Sequence, residues 1–239
     1  MSIVIIAPTG NSGKVLVTKL LEANADLTLI ARHPEKLDAA VRDRVKIAQG
    51  DLSDSAFMQT ATEGADALFL LAPPNFDAPN ARDYYQTLVQ SAANAIRANK
   101  IAHVVVISSG GHGKEGDDLG LIGLVFELEN TLNETGANLL YLRCGSFMEN
   151  FLFQADAMKN TGAFYYLYRP ETKLPLVATR DIAAVAAKKL LNRNWTGINS
   201  LAVQGAADVN STEAAQILTD AIGKEIRYVQ VPAEQVTQT

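Results

Sequence analysis

Six short runs of aliphatic residues recur along the first 143 positions, separated by stretches long enough to form helices. IVIIA (3–7), LTLIA (27–31), VKIA (45–48), ALFLLA (67–72), VVVIS (104–108) and LLYLR (139–143) are strand-length and almost wholly apolar. A strand with one wet face alternates polar and apolar residues. Strands without that alternation are covered on both sides, as parallel strands are when crossover helices pack on them. Between the runs, KVLVTKLLEA, DYYQTLVQSAANAIRA and GLIGLVFELENTLNET read as amphipathic helices. The alternation predicts an α/β fold, a doubly wound (Rossmann) parallel sheet.

After RCGSFMENF the rhythm changes. A helix-like FQADAMKN leads into the aromatic run AFYYLYRPETKLP, followed by LVAT, DIAAVAAKKLLN, INSLAV, STEAAQILTDAIG and IRYVQV. Sheet-forming segments are fewer here and loops more frequent. The expected organisation is a nucleotide-binding domain over residues 1–150 and a small C-terminal, substrate-side lobe over 151–239.

Charge and cysteine content narrow the function. The net charge is −5, and the 21 Lys and Arg are scattered, with no basic run and no zinc-ligand spacing. Direct nucleic-acid binding and a metal centre are therefore not expected, and any regulatory role would pass through a protein partner. The single cysteine, Cys144, excludes an internal disulfide and fits a reducing compartment. The N-terminus carries no basic region followed by a long apolar run, and no run reaches membrane-spanning length. The expectation is a cytoplasmic protein without a membrane partner.

The first turn, APTGNSGK, invites two readings. A nucleoside-triphosphate loop needs glycine at position 8 and a hydroxyl at position 15, where Pro8 and Val15 stand. The context of strand, P-T-G-N-S-G, then helix suits a dinucleotide turn instead. Gly10 allows the backbone to approach a pyrophosphate, Gly13 lets the helix pack on the strand, and amides near Thr9, Asn11 and Ser12 face the phosphates. Ala7 replaces the usual first glycine.

The second run ends in Arg32, 22 residues after Gly10, where an acidic residue would select NAD(H). A guanidinium forks onto phosphate oxygens, and Lys36 adds a second charge, so NADP(H) is expected over NAD(H). At the third run's end, Asp51 and Leu52 are placed beside the adenine. At the fourth, Ala72 and Pro73 lie beside the ribose.

These segments together resemble the NmrA-like group of atypical short-chain dehydrogenase/reductases. The likeness rests on APTGNSGKVLVTKLL, ARHPEKL, GDLSD, VVVISSGG, ELENTLNETGANLLYLRCGSFMENFL, LVATRDIAAVAAKKLL and STEAAQILTDAIGKEIRYVQV. Members usually continue some tens of residues further, which implies a short or truncated member. The wider superfamily uses a serine at the fifth strand's end, a place filled by Ser108 or Ser109, and a Tyr-x-x-x-Lys pair on the next helix. That pair's positions hold Phe126 and Asn130, so its proton-donating machinery is absent and the catalytic residues stay unassigned.

Three functions remain. The resemblance implies an NADPH-dependent oxidoreductase acting on quinones or similar conjugated small-molecule acceptors, which need no strong acid because the product is an aromatised phenolate. The alternative it implies is a non-catalytic NADP(H)-sensing regulator with a protein partner. A hydrolase built on Ser109 and His112 is the weakest, since SSGGHGKEGDD has no nucleophile elbow. Phe147, Asn150 and Phe151 are the candidate walls of a substrate pocket, with Phe164, Tyr165 and Tyr166 either beside them or in the core.

Overall fold

The computed structural model describes residues 2–73, 75, 78–110 and 121–232. Strands β1 (Ser2–Ile6), β2 (Asp26–Ala31), β3 (Lys46–Gln49), β4 (Ala67–Leu70), β5 (His103–Ser109) and β6 (Asn138–Cys144) fall on the six apolar runs. Helices α1 (Asn11–Glu22), α2 (Ala39–Arg42), α3 (Ser55–Ala61), α4 (Ala81–Asn99) and α5 (Leu121–Asn133) lie between them. Then follow β7 (Ser146–Phe147), α6 (Ala155–Thr161), β8 (Ala163–Tyr166), β9 (Leu174–Val177), α7 (Thr179–Leu191), β10 (Ile198–Val203), β11 (Asp208–Val209), α8 (Ser211–Ile222) and β12 (Arg227–Gln230).

The main sheet has seven strands in the order β10-β6-β5-β4-β1-β2-β3. Each of its pairings is parallel. Order reverses beside β1: β2 and β3 extend one way, β4, β5 and β6 the other. This is the doubly wound sheet expected from the sequence. Val4, Ile6, Leu68, Leu70, Val104 and Val106 share one face and pack with Leu88, Val89, Leu128 and Leu132 of α4 and α5. The alternate positions Ile3, Ile5, Phe69 and Val105 are equally dry. Both faces are covered, which is why these strands show no polar alternation. Each such side chain contributes about 1.5–3 kcal/mol by leaving water.

The chain divides into two compact units, Met1–Cys144 with Arg180–Val203, and Gly145–Thr179 with Gln204–Thr239. Residues 180–203, assigned to the 151–239 lobe by the sequence reading, thus lie with the first unit. The cause is β10, which pairs residue for residue with β6 from Ile198–Leu139 to Val203–Cys144 and extends the parallel sheet. Five of its six residues are exposed, so its pattern carries no sign of that partner.

The second unit holds a three-stranded sheet, β11-β9-β7, and the parallel pair β12-β8. Gly145 admits the close approach of β9: a Cβ there would stand 2.3 Å from the Pro175 carbonyl oxygen. The Glu149 carboxylate accepts from the Thr179 amide at 3.0 and 3.1 Å and from its hydroxyl at 2.6 Å, tying the first residue of α7 to the segment after β7. Helix α8 opens on a capping box, Asn210 with Glu213, and closes on Gly223 in the left-handed region. No helix among the described residues is long and apolar enough to cross a membrane.

Two consequences are measurable. Ala7 adopts φ 55, a left-handed conformation at the position where dinucleotide turns carry glycine. Relief of ~1–2 kcal/mol of strain, less ~0.5–1 kcal/mol for glycine's greater unfolded freedom, should make Ala7→Gly neutral to about 1 kcal/mol more stable in urea unfolding; clear destabilisation would contradict this. Cys144 is 4% exposed, its thiol directed at the Leu142 carbonyl, 3.3 Å away. Burial pushes that thiol up to about 12, against about 8.5 in an unfolded chain. Its contribution to stability is therefore complete below about pH 8.5 and lost as pH rises towards 12. Native protein should resist alkylation at pH 8.5, react once per chain when denatured, and show a falling urea midpoint through that alkaline window.

Candidate functional site

Parallel pairing brings the carboxyl ends of β1 to β6 to one edge of the first unit. The reversal of strand order beside β1 opens the crevice there in which doubly wound folds take their ligands. Across the edge the side chains run in the order Asp51, Arg32, the glycine turn, Ala72, then Ser108 and Ser109. Neighbouring strand ends are about 4.8 Å apart, so the row spans roughly 19 Å, a length suited to an extended dinucleotide.

At its centre the two glycines have different causes. Gly13 is demanded by the protein itself, because a Cβ would lie 2.2 Å from the Ala7 carbonyl oxygen and 2.9 Å from the Pro8 Cα. Gly10 is not. Its φ of −74 and ψ of 169 suit any residue, and the nearest atom to a Cβ is the Ala7 oxygen at an ordinary 3.5 Å. The protein's own packing therefore leaves room for a side chain at Gly10.

The helix start agrees. Gly10 caps α1 without a side-chain hydrogen bond, and no acidic residue stands in the first turn. Helices α3, α4 and α8 instead begin on Asp54, Asn80 and Asn210, whose side chains accept from first-turn amides. Left uncapped, the first amides of α1 and the helix dipole are aimed at whatever anion lies over the turn. Ser12 is buried beneath it; Thr9 and Asn11 stand at the rim.

Beyond the end of β2, Arg32 and Lys36 are both exposed, and Arg32 has no ion pair among the described residues. The Arg32 carbonyl accepts from Gln49 at 3.3 Å, which ties the ends of β2 and β3 together. Asp51 Oδ1 accepts from the Ser53 amide and hydroxyl, both at 2.8 Å. The Ser53 amide, then its hydroxyl, and beyond them the Arg32 charge, hold the Asp51 carboxyl below the usual range. It therefore stays ionised, with Oδ2 free of these bonds. Sequence reasoning missed Tyr84. Its hydroxyl is pushed up by burial, drawn down by Arg32 and pushed up by Asp51, so the three groups form one cluster. Leu52 and Ala72 are buried, and Pro73 is half-buried.

The two serines point differently. Ser108 is 5% exposed and donates to Glu129 Oε1 at 2.5 Å; Ser109 is partly exposed. On α5, Asn130 is exposed and lines a groove between α4 and α5. It is its neighbour Glu129 that turns inward to Ser108 and Arg143. His112 lies outside the described residues.

The second unit contains a cleft of about 410 Å³. Phe147, Asn150 and Phe151 line it, with Tyr165, Tyr166, Tyr168, Leu174 and Leu176. Phe151 packs edge-on against Phe164 at 5.2 Å and against Tyr166 at 5.9 Å. The aromatic run thus divides: Phe164 is wholly buried core, whereas Tyr165 and Tyr166 face the cleft. An apolar, aromatic wall with a few polar groups suits a flat conjugated molecule. No group of three or more metal-ligating side chains occurs among the described residues.

Comparison with known proteins adds independent findings. The family described as NAD(P)H-binding matches residues 8–193. The NAD(P)H azoreductase of Xenophilus azovorans is 30% identical over 238 residues, 99% of this chain and 79% of that protein. Quinone oxidoreductase 2 of Escherichia coli (strain K12) is 27% identical over 231 residues, 95% of this chain and 76% of the other. The crystal structure of the Citrobacter sp. triphenylmethane reductase complexed with NADP(H) has the same fold, with a TM-score of 0.84 at 19% identity over 100% of this chain and 82% of that one. With the glycine turn inside the matched span and a relative this similar along nearly its whole length, the protein belongs to the NAD(P)H-binding family.

Proposed function

We propose that the protein is an NADPH-dependent reductase of quinones or similarly conjugated acceptors. The observation that carries this reading is the similarity, over 99% and 95% of the chain, to an azoreductase and a quinone oxidoreductase. The aromatic cleft supports it from the structure.

NADPH, when bound, supplies the hydride. The backbone from Thr9 to Gly13, with Asn11 and Ser12, holds the pyrophosphate. Arg32 and Lys36 take the 2′-phosphate, and the preference for NADP(H) over NAD(H) rests on them. Asp51 and Leu52, joined by Tyr84, border the adenine, Ala72 and Pro73 the ribose. Ser109, partly exposed, would face the nicotinamide, while Ser108 is held inward by Glu129. Phe147, Asn150 and Phe151, which line the aromatic cleft, are the proposed walls for the acceptor. The acceptor is a small molecule, and the lone buried cysteine supports a cytoplasmic setting. A non-catalytic NADP(H) sensor is the other reading, favoured by the lack of an acid at Phe126 and Asn130.

Cofactor choice should follow Arg32. NADPH should bind at least about tenfold more tightly than NADH, about 1.4 kcal/mol, by nicotinamide fluorescence, and Arg32→Ala should abolish the difference. Equal wild-type affinities for the two would refute the role of Arg32.

The acceptor should be conjugated. A positioned general acid contributes about 10²–10⁴-fold, so without one a simple aryl ketone should be reduced negligibly at a pH where a matched quinone turns over. Faster ketone reduction would show an unrecognised acid. Tight NADPH binding with no turnover of either compound would favour the sensor.

A further inference from the structure

Arg193 carries a charge that the protein does not answer. Its Nη1 is shut off from solvent without an acceptor, and the guanidinium has no hydrogen bond or ion pair among the described residues. A surface arginine keeps its nitrogens in water. One that buries an N–H group with no acceptor forgoes both water and a protein partner, and such a group calls for an explanation. Looseness of the loop is not that explanation, because the chain is fixed on both sides. Trp195 Nε1 donates to the Lys189 carbonyl at 3.2 Å, and the Gly197 amide donates to Asn138 Oδ1 at 2.8 Å. Trp195 also meets the His103 ring edge-on, with centroids 4.9 Å apart, and its carbonyl oxygen lies 3.2 Å from His103 Nε2. A carbonyl only accepts, so Nε2 carries the hydrogen and the neutral ring keeps Nδ1 as an acceptor.

Arg193 borders a cavity of about 620 Å³ whose other walls include Asp66, His103, Asn192 and Asn194. All of these residues belong to the first unit. Asp66 stands just before β4 and His103 opens β5, so the cavity lies at the amino edge of the parallel sheet, opposite the glycine turn. The seven residues of β5 set the two edges about 20 Å apart. Asp66 Oδ2 accepts from the Ser2 amide at 2.8 Å, and the carboxylate has no ion pair among the described residues. One cavity is thus lined by a guanidinium and a carboxylate that are not paired with each other.

We propose that this cavity is a binding site for a small zwitterion of the amino-acid class. The carboxylate of such a molecule takes the Arg193 guanidinium, whose planar donors match its two oxygens. Its ammonium group takes the Asp66 carboxylate, with His103 as a neutral acceptor. A simple anion would meet the charge of Asp66 and a simple cation that of Arg193, whereas a ligand carrying both signs is answered by both. The cavity volume falls within the range of small-molecule sites. The site shares no residue with the dinucleotide edge, and it stands whether or not the protein is a reductase.

Glycine, γ-aminobutyrate, acetate and ethylammonium, each titrated into isotope-labelled protein and followed by NMR at the Arg193 Nε–H group and the His103 amide, test this. Glycine and γ-aminobutyrate hold their two charges at different separations, and at least one of them should bind about tenfold or more tightly than acetate and ethylammonium. Arg193→Gln and Asp66→Asn, read at the His103 amide, should each weaken that zwitterion about tenfold or more. A guanidinium that merely attracts anions would take acetate as tightly as either zwitterion, and that result overturns the proposal. If Arg193 and Asp66 instead close on each other, either substitution lowers the urea midpoint and no probe moves the Arg193 signal, which also overturns it. None of the four probes requires turnover or NADPH, so failure of the reductase reading would leave these outcomes unchanged.

Discussion

Helix α1 leaves β1 so closely that a Cβ on Gly13 would lie 2.2 Å from the Ala7 carbonyl oxygen. The rest of the first unit follows from that contact. It draws the first-turn amides over the carboxyl end of the central strand, next to the reversal of strand order, and forces Ala7 into a left-handed turn at φ 55. The chain accepts a strained alanine, an uncapped helix and a glycine with space above it in one turn. Features of this kind persist where a ligand supplies what the protein withholds.

A second constraint governs the ends of β5 and β6. In the wider superfamily the following helix offers a tyrosine and a lysine towards the serine at the strand's end. Here the residues at those spacings are Phe126 and Asn130, and the inward position belongs to Glu129. Arg143 on the neighbouring strand donates to it at 2.8 Å.

Much of this could be read in advance, for identifiable reasons. Strands covered on both faces leave uninterrupted apolar runs, so β1, β2, β4, β5 and β6 were visible, and the edge strand β3 through its short run VKIA; Arg32 and Asp51 could be placed because they follow two of those runs. The contribution of β10 to the main sheet was not visible, since an exposed edge strand leaves no apolar signature and its partner β6 is more than fifty residues away. Tyr84 was missed because its relation to Arg32 and Asp51 depends on where α4 begins, which Asn80 sets by capping. The Glu129–Arg143 pair had a signal that went unread: an arginine ending the apolar run LLYLR and a glutamate between two buried leucine turns of α5, each anomalous alone and explained by the other. In the aromatic run, spacing could not separate Phe164 from its neighbours; only their burial does.

The central claim is that a dinucleotide lies across the carboxyl edge, its pyrophosphate over Gly10. A crystal structure of the protein with NADP⁺ tests this most directly. Pyrophosphate oxygens should lie within hydrogen-bonding distance of the first α1 amides, the 2′-phosphate on Arg32 and the adenine beside Asp51. An NADP⁺ bound elsewhere, or one whose pyrophosphate leaves the space above Gly10 open, would contradict it.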